Sequence, residues 1–339
     1  EKVSSDSYLK SSDIKSPIIN SRDTLKSFVK FEGYTENTDF NLSAEIFEDL
    51  NQSKNSDKYE FILPNFNLSK NLETSLSGTL SMNNTGYSKH YKTNINEKIL
   101  VNDFIYKSMD SINRLGFVNN YEIFFKNFNS DSKNSNILKR KKQHDLEGII
   151  QFNSKLPLKK IGNNYDGTLT PIFSAKFNPY PNKNIMNDVR IIDYNNIFSI
   201  DRLSSQKTLE GGESITIGNE YKIFDKLDNE IFGLNLATSL KDKVNNDLPA
   251  NSSLNQKTSN IVGQMNLKTN EFIEFEYDFF ADNNLGKFNY HKINTEFKVN
   301  NFITSFQFIE ESNPIGVESY IANETSFNFN ENKSLLFRT

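Results

Sequence analysis

Ile273-Glu274-Phe275-Glu276-Tyr277-Asp278-Phe279 decides the fold. Apolar and acidic residues alternate with period two, so an extended strand puts Ile273, Phe275, Tyr277 and Phe279 on one face and Glu274, Glu276 and Asp278 on the other. A helix would scatter the same residues around its circumference. The pattern recurs outward from this stretch. Ile293, Thr295, Phe297 and Val299 stand against Asn294, Glu296 and Lys298, and Phe40, Leu42, Ala44 and Ile46 against Asn41, Ser43 and Glu45. Phe232, Leu234, Leu236 and Leu240 repeat it, as do Phe302, Phe306 and Phe308.

The candidate strands run close to ten residues, longer than the roughly five or six of soluble sheets. Their connectors alternate in length from about Thr168 onward. Pro179–Gly211 is long, Asp225–Asn229 tight, Lys241–Thr258 long and Lys268–Asn270 tight. Ala281–Lys287, the tight Asn300-Asn301, Glu311–Val317 and Asn330–Lys333 follow. Outer-membrane barrels have short periplasmic turns and long extracellular loops, which puts Pro179–Gly211 and Lys241–Thr258 outside. Upstream, Thr35–Thr38 is tight and Glu48–Lys58 long, but between His90 and Phe128 the alternation fails unless a strand is added or lost.

Composition agrees with an embedded sheet. The 339 residues include 29 Phe and 14 Tyr although only 36% are apolar, an aromatic load too high for a disordered chain. Mean hydropathy is −0.62, which a barrel tolerates because lumen-facing residues are polar. No run approaches the roughly 18 apolar residues of a membrane helix. The expected fold is therefore all-β, a transmembrane antiparallel β-barrel of the outer-membrane type. A net charge of −4 argues against nucleic acid as a partner. Zero cysteines exclude disulfide scaffolds and thiolate metal sites. Glu1-Lys2-Val3-Ser4-Ser5 has no signal-peptide pattern, so it reads as a processed or internal start.

Residue clusters that could carry chemistry are few. His90, His144 and His291 are far apart and lack a second ligand at metal spacing. No Gly-x-Ser-x-Gly elbow marks a nucleophile. Glu274 and Glu276 alternate with aromatics and suit a lumen lining better than acid–base work, so no catalytic, cofactor or metal residue is expected. Lys139-Arg140-Lys141-Lys142 lies in a polar connector, Asn127–His144. It reads either as a holder of lipid A phosphates or, preferably, as a solvated loop. Gly211-Gly212 and Gly218 sit where the longest loop returns to a strand, where glycine normally serves turn geometry or close approach.

From Leu169-Thr170-Pro171 to Tyr221 a series of short motifs follows in order. These are Pro171; Asn178-Pro179 with Asn182 and Asn184; Asn196-Ile197-Phe198-Ser199; Asp201-Arg202-Leu203-Ser204; and Glu210-Gly211-Gly212 with Gly218. In order and spacing they resemble the central signature of the barrel domain of the LptD (OstA) family. Ser7-Tyr8-Leu9-Lys10, Ile62-Leu63-Pro64 and Ser259-Asn260-Ile261-Val262-Gly263 are also similar. The sequence departs where the family has Gly, with Ser205; where it has Asp-Arg, with Lys207-Thr208; and where it has Asn before the Arg, with Asp201.

The resemblance implies a structural role for Pro171, Asn196, Phe198, Arg202, Glu210, Gly211, Gly212 and Gly218. It implies delivery of lipopolysaccharide to the outer leaflet of a Gram-negative outer membrane, without a cofactor. It implies as partners lipopolysaccharide, outer-membrane lipids, an LptE-type lipoprotein plug inside a barrel of roughly 26 strands, and a periplasmic Lpt bridge. That bridge would dock through an N-terminal jelly-roll which, like the closing strands and their cysteine pair, is expected to lie outside this chain; 1–339 would then be an interior part of one barrel domain. Two readings compete. A general porin or transporter barrel would have no reason to keep the Asn196–Gly218 signature. A secreted β-rich adhesin would bury its apolar faces against a second sheet.

Overall fold

The computed structural model describes residues 24–52, 55–92, 94–269, 272–312, 318–330 and 333–339. Ser7–Lys10 lies outside them, as do parts of the connectors at 53–54, 270–271, 313–317 and 331–332. The strands are β1 (Thr24–Tyr34), β2 (Thr38–Asp49), β3 (Tyr59–Leu72), β4 (Gly78–Tyr91), β5 (Ile95–Ser108), β6 (Ser111–Ile112), β7 (Val118–Lys133), β8 (Gln143–Lys155) and β9 (Leu158–Ile161). They continue as β10 (Asp166–Asn178), β11 (Gly212–Phe224), β12 (Glu230–Lys241), β13 (Ile261–Thr269), β14 (Ile273–Ala281), β15 (Phe288–Val299), β16 (Phe302–Glu311), β17 (Glu318–Asn330) and β18 (Lys333–Arg338). All belong to an 18-stranded sheet in which chain neighbours pair antiparallel. β6 and β9 are short extensions of hairpins, and β5 reaches past β6 to β7 as β8 reaches past β9 to β10.

The burial pattern is inverted relative to a water-soluble sheet. On β10, Leu169, Phe173 and Phe177 are 39%, 37% and 46% exposed while Ser174, Lys176 and Asn178 are buried. On β11, Ile215 and Ile217 are exposed while Ser214 and Thr216 are buried. β2 does the same with Leu42 and Ile46 outward and Ser43 inward. Apolar side chains left without protein cover along whole strands are stable only against lipid. The adhesin reading fails on this point.

The chain divides into two compact units. One holds 24–108, 123–148 and 206–208; the other holds 109–122, 149–205 and 209–339. In the first, Ile99, Val101 and Phe128 of the inner face close over Leu138, with Tyr87 beside them. Lys126, almost fully buried, meets Asp103 at 2.9 Å. The second unit has the larger apolar core, built from its long loops.

Two boundary expectations need correction. The polar connector is 134–142 and not Asn127–His144, because β7 runs on to Lys133 and β8 starts at Gln143. The end of β7 carries Ser130 and Ser132 inward, alternating with Asn129, Asp131 and Lys133, so the strand continues after its apolar signal ends. Between His90 and Phe128 the strands alternate in direction although connector lengths do not: β4 ends at Tyr91 and β5 begins at Ile95 on the long-loop side, whereas β5 and β7 are joined by 109–117, in which β6 pairs with β7. A three-residue connection among long loops is what disturbs the count in the sequence.

Candidate functional site

The second unit's loops fold onto the inner face of their own strands. Residues 179–211 contribute Ile185, Ile192, Ile197 and Leu203, and residues 242–260 contribute Leu248 and Leu254. These pack on Ala237 of β12, Val262 of β13 and Phe280 of β14. The two loops also bond to each other: Ile185 N donates to Asp247 O at 2.8 Å and Asn245 Nδ2 to Asn182 Oδ1 at 2.6 Å.

Beneath this apolar cluster lies a buried ionic knot. Arg202 is fully buried and donates to both oxygens of Glu210, Nε at 2.8 Å and Nη2 at 2.7 Å. Its remaining N–H groups go to Ser214 and Thr216 of β11 and Ser239 of β12, at 2.9, 3.1 and 2.6 Å. Lys241 Nζ reaches Glu210 at 2.9 Å, and Lys176 Nζ donates to the carbonyls of Ser199 and Ile200 at 2.8 and 2.9 Å. Burial would raise the Glu210 carboxyl, but Arg202, Lys241 and Lys176 outweigh it and hold the group well below the usual carboxylate range. The loop is thereby tied to three successive strands.

The other motif residues lie on the same loop and on β10 and β11. Asn196 and Asp193 cap each other's backbone N–H at 3.0 and 3.1 Å, which closes the turn before Phe198. Phe198 stacks edge-on with Tyr194, and its carbonyl accepts from Gln151 Nε2 at 2.8 Å. A Cβ on Gly218 would stand 2.6 Å from Cζ of Phe198, so glycine is what lets the tip of the ring approach β11. Gly212 has φ +89°, and a Cβ on Gly211 would meet the Tyr180 carbonyl at 2.7 Å. Pro171 faces outward where the ladder passes from β8 to β9, and Leu156 N donates to its carbonyl at 3.0 Å. Thr208, where the family has Arg, still meets an acid: its Oγ1 donates to both oxygens of Glu147, at 3.0 and 2.9 Å.

Below the loops the inner face stays polar. An amide and carboxylate ladder crosses β12 to β16 through Asn235, Gln264, Glu276, Asn294 and Gln307. It borders a cavity of about 790 Å³ whose lining includes Glu230, Glu274, Glu296 and Glu324 with Lys268 and Arg338. Glu274 is held by Lys268 at 2.6 Å and Glu324 by Arg338 at 2.6 Å, so these carboxylates are structural neighbours of cations and not a poised acid–base pair. His90 and His144 bond Asn96 and Asn129, and His291 bonds the Tyr277 hydroxyl. Among the described residues no cluster could hold a metal ion.

The sequence pattern does not mark Lys176, Lys241 or Ser239 as site residues. The available signal was a cation at an inward position of an alternating strand, between Phe173 and Phe177 in the case of Lys176.

Strands with lipid-facing apolar residues, a polar inner face and loops folded over it define a transmembrane β-barrel of the outer membrane. Within that class the chain belongs to the LptD family: the family model described as LPS transport system D matches residues 1–329. It is accordingly an outer-membrane protein of Gram-negative bacteria that acts in lipopolysaccharide transport and handles lipopolysaccharide with the Lpt system. Comparison with curated proteins finds no match.

Proposed function

We propose that lipopolysaccharide travels along the polar inner face of this barrel to the outer leaflet without any covalent step. The observation that carries this reading is the Asn235–Gln307 ladder bordering the acid-lined cavity. Sugar hydroxyls and phosphates need such hydrogen-bonding surface, whereas acyl chains belong in lipid. Pro179–Gly211 and Lys241–Thr258 face outward and close the lumen from that side, with Asn196, Phe198, Arg202, Glu210, Gly211, Gly212 and Gly218 fixing the first of these loops in place. A lipoprotein of the LptE type fills the remaining lumen, and the periplasmic Lpt bridge supplies the substrate.

Depletion of the full-length gene product tests the transport route. Surface lipopolysaccharide should fall while it accumulates internally, and unchanged surface levels would overturn the reading. Affinity purification of the full-length protein from membranes should recover a lipoprotein in equal amount. Its absence would remove the plug but not the transport.

A further inference from the structure

Three glycines on the outward face of the wall are each covered by a phenylalanine ring. Gly86 lies under Phe66, Gly148 under Phe125 and Gly263 under Phe279, and a Cβ on any of them would crowd that ring. Gly167 of β10 has no such cover: a Cβ there would find nothing nearer than the Lys222 carbonyl, at 4.0 Å. Strand register sets its surroundings. Gly167 stands between Lys160 of β9 and Ile223 of β11, and the next outward row toward the membrane centre is Leu158, Leu169 and Tyr221. These three are 46%, 39% and 38% exposed, and the Tyr221 ring meets Phe232 of β12 edge-on at 6.2 Å. The lipid-facing wall therefore has a notch one side chain deep, floored by Gly167 and roofed by apolar side chains.

The notch lies at the periplasmic end of the apolar band. Hairpin β9–β10 closes through 162–165, where Gly162 N donates to Tyr165 O at 3.1 Å, and Lys226 of the tight turn Asp225–Asn229 donates to Gly162 O at 2.6 Å. Lys160 is exposed, and among the described residues it meets no carboxylate. Its neighbour Lys159, on the inner face, takes Asp166 at 3.6 Å, and Lys226 holds the same carboxylate. The outward positions around Lys160, namely Leu158, Leu169, Tyr221, Ile223 and Phe232, carry no charge. A lysine that merely snorkels to the interface needs no open notch beside it. An unneutralised cation next to an apolar notch at headgroup depth fits a phosphate with acyl chains rising past it.

We propose that Lys160 and the notch at Gly167 hold one phospholipid of the periplasmic leaflet. Its phosphate meets the Lys160 ammonium, its glycerol lies over Gly167, and its chains run against Leu158, Leu169 and Tyr221. This leaflet is opposite to the one that the transported glycolipid enters, so the ligand is a resident of the bilayer and not the cargo.

The test is binding of phosphatidylglycerol, and of diacylglycerol as the counterpart that lacks the phosphate, to the full-length protein purified in detergent and stripped of lipid, read by native mass spectrometry. The wild type should retain one phosphatidylglycerol in preference to diacylglycerol. Lys160→Ala should weaken phosphatidylglycerol binding about fivefold, the effect of one cation at a charged lipid surface, while Lys160→Arg keeps it. Gly167→Val should weaken both lipids by filling the notch. Because nothing stands nearer than 4.0 Å to the added Cβ, that variant should keep the heat-dependent gel mobility of the folded wild type. No preference for the phosphorylated lipid in the wild type, or an unchanged preference in Lys160→Ala, would overturn the site. So would wild-type lipid binding by a folded Gly167→Val. Displacement by inorganic phosphate as readily as by phosphatidylglycerol would show an adventitious ion only and overturn it equally.

Discussion

Glu210 is one carboxylate among three buried cations, Arg202, Lys241 and Lys176. Removing its charge leaves those cations uncompensated in a site from which water is excluded. Glu210→Gln should therefore destabilise the loop by about 3–5 kcal/mol, the cost of breaking a buried pair. Limited trypsin digestion at Lys183 and Arg190 checks this and should be much faster in the variant. Because the Glu210 pKa is held below its ordinary 4.5, its contribution is complete above about pH 4.5 and is lost as pH falls toward the folded value. Wild-type loops should become protease-sensitive only in strong acid, and E210Q should show no such transition. In sequence, Arg202 and Glu210 were legible as motif members. Their partners were not, because Lys176 and Lys241 are remote in the chain and only strand pairing brings β10, β11 and β12 side by side.

At the scale of elements, a loop and a strand meet through one missing side chain. A Cβ at Gly218 would fall 2.6 Å from the Phe198 ring and 2.8 Å from the Leu236 carbonyl, so Gly218→Val must displace the ring. Overpacking of this kind costs about 1–3 kcal/mol. The expected outcome is faster cleavage within 179–211 with the heat-dependent gel mobility retained; a loop as resistant as in the wild type would show that Phe198 has room to move. Strands were largely legible, since period two is visible wherever one face meets lipid. Their ends were less so. The last turns of β7 lie beyond the apolar surface, and with Asn129, Ser130, Asp131 and Ser132 they look like loop although they pair as strand. The short connection between β4 and β5 breaks the length pattern for a related reason: loop length tracks the side of the membrane only on average.

On the scale of the whole molecule, the outward row of Phe and Ile predicts that the protein partitions into detergent and stays there at high salt. Recovery in an aqueous extract would contradict the fold. The same inversion explains why mean hydropathy carries little information: polar residues that would normally mark a surface, such as Ser174 and Thr216, are interior here. The long loops obey the opposite rule, hiding Ile185, Ile197, Leu203, Leu248 and Leu254 in an ordinary apolar core. One chain thus answers to two solvents, with lipid supporting the wall and water supporting the loops. Urea weakens only the water-driven part. A rising urea series in intact membranes should release the loops while every strand stays in place, so the outward-facing cover of this transporter is separable from its wall by solvent alone.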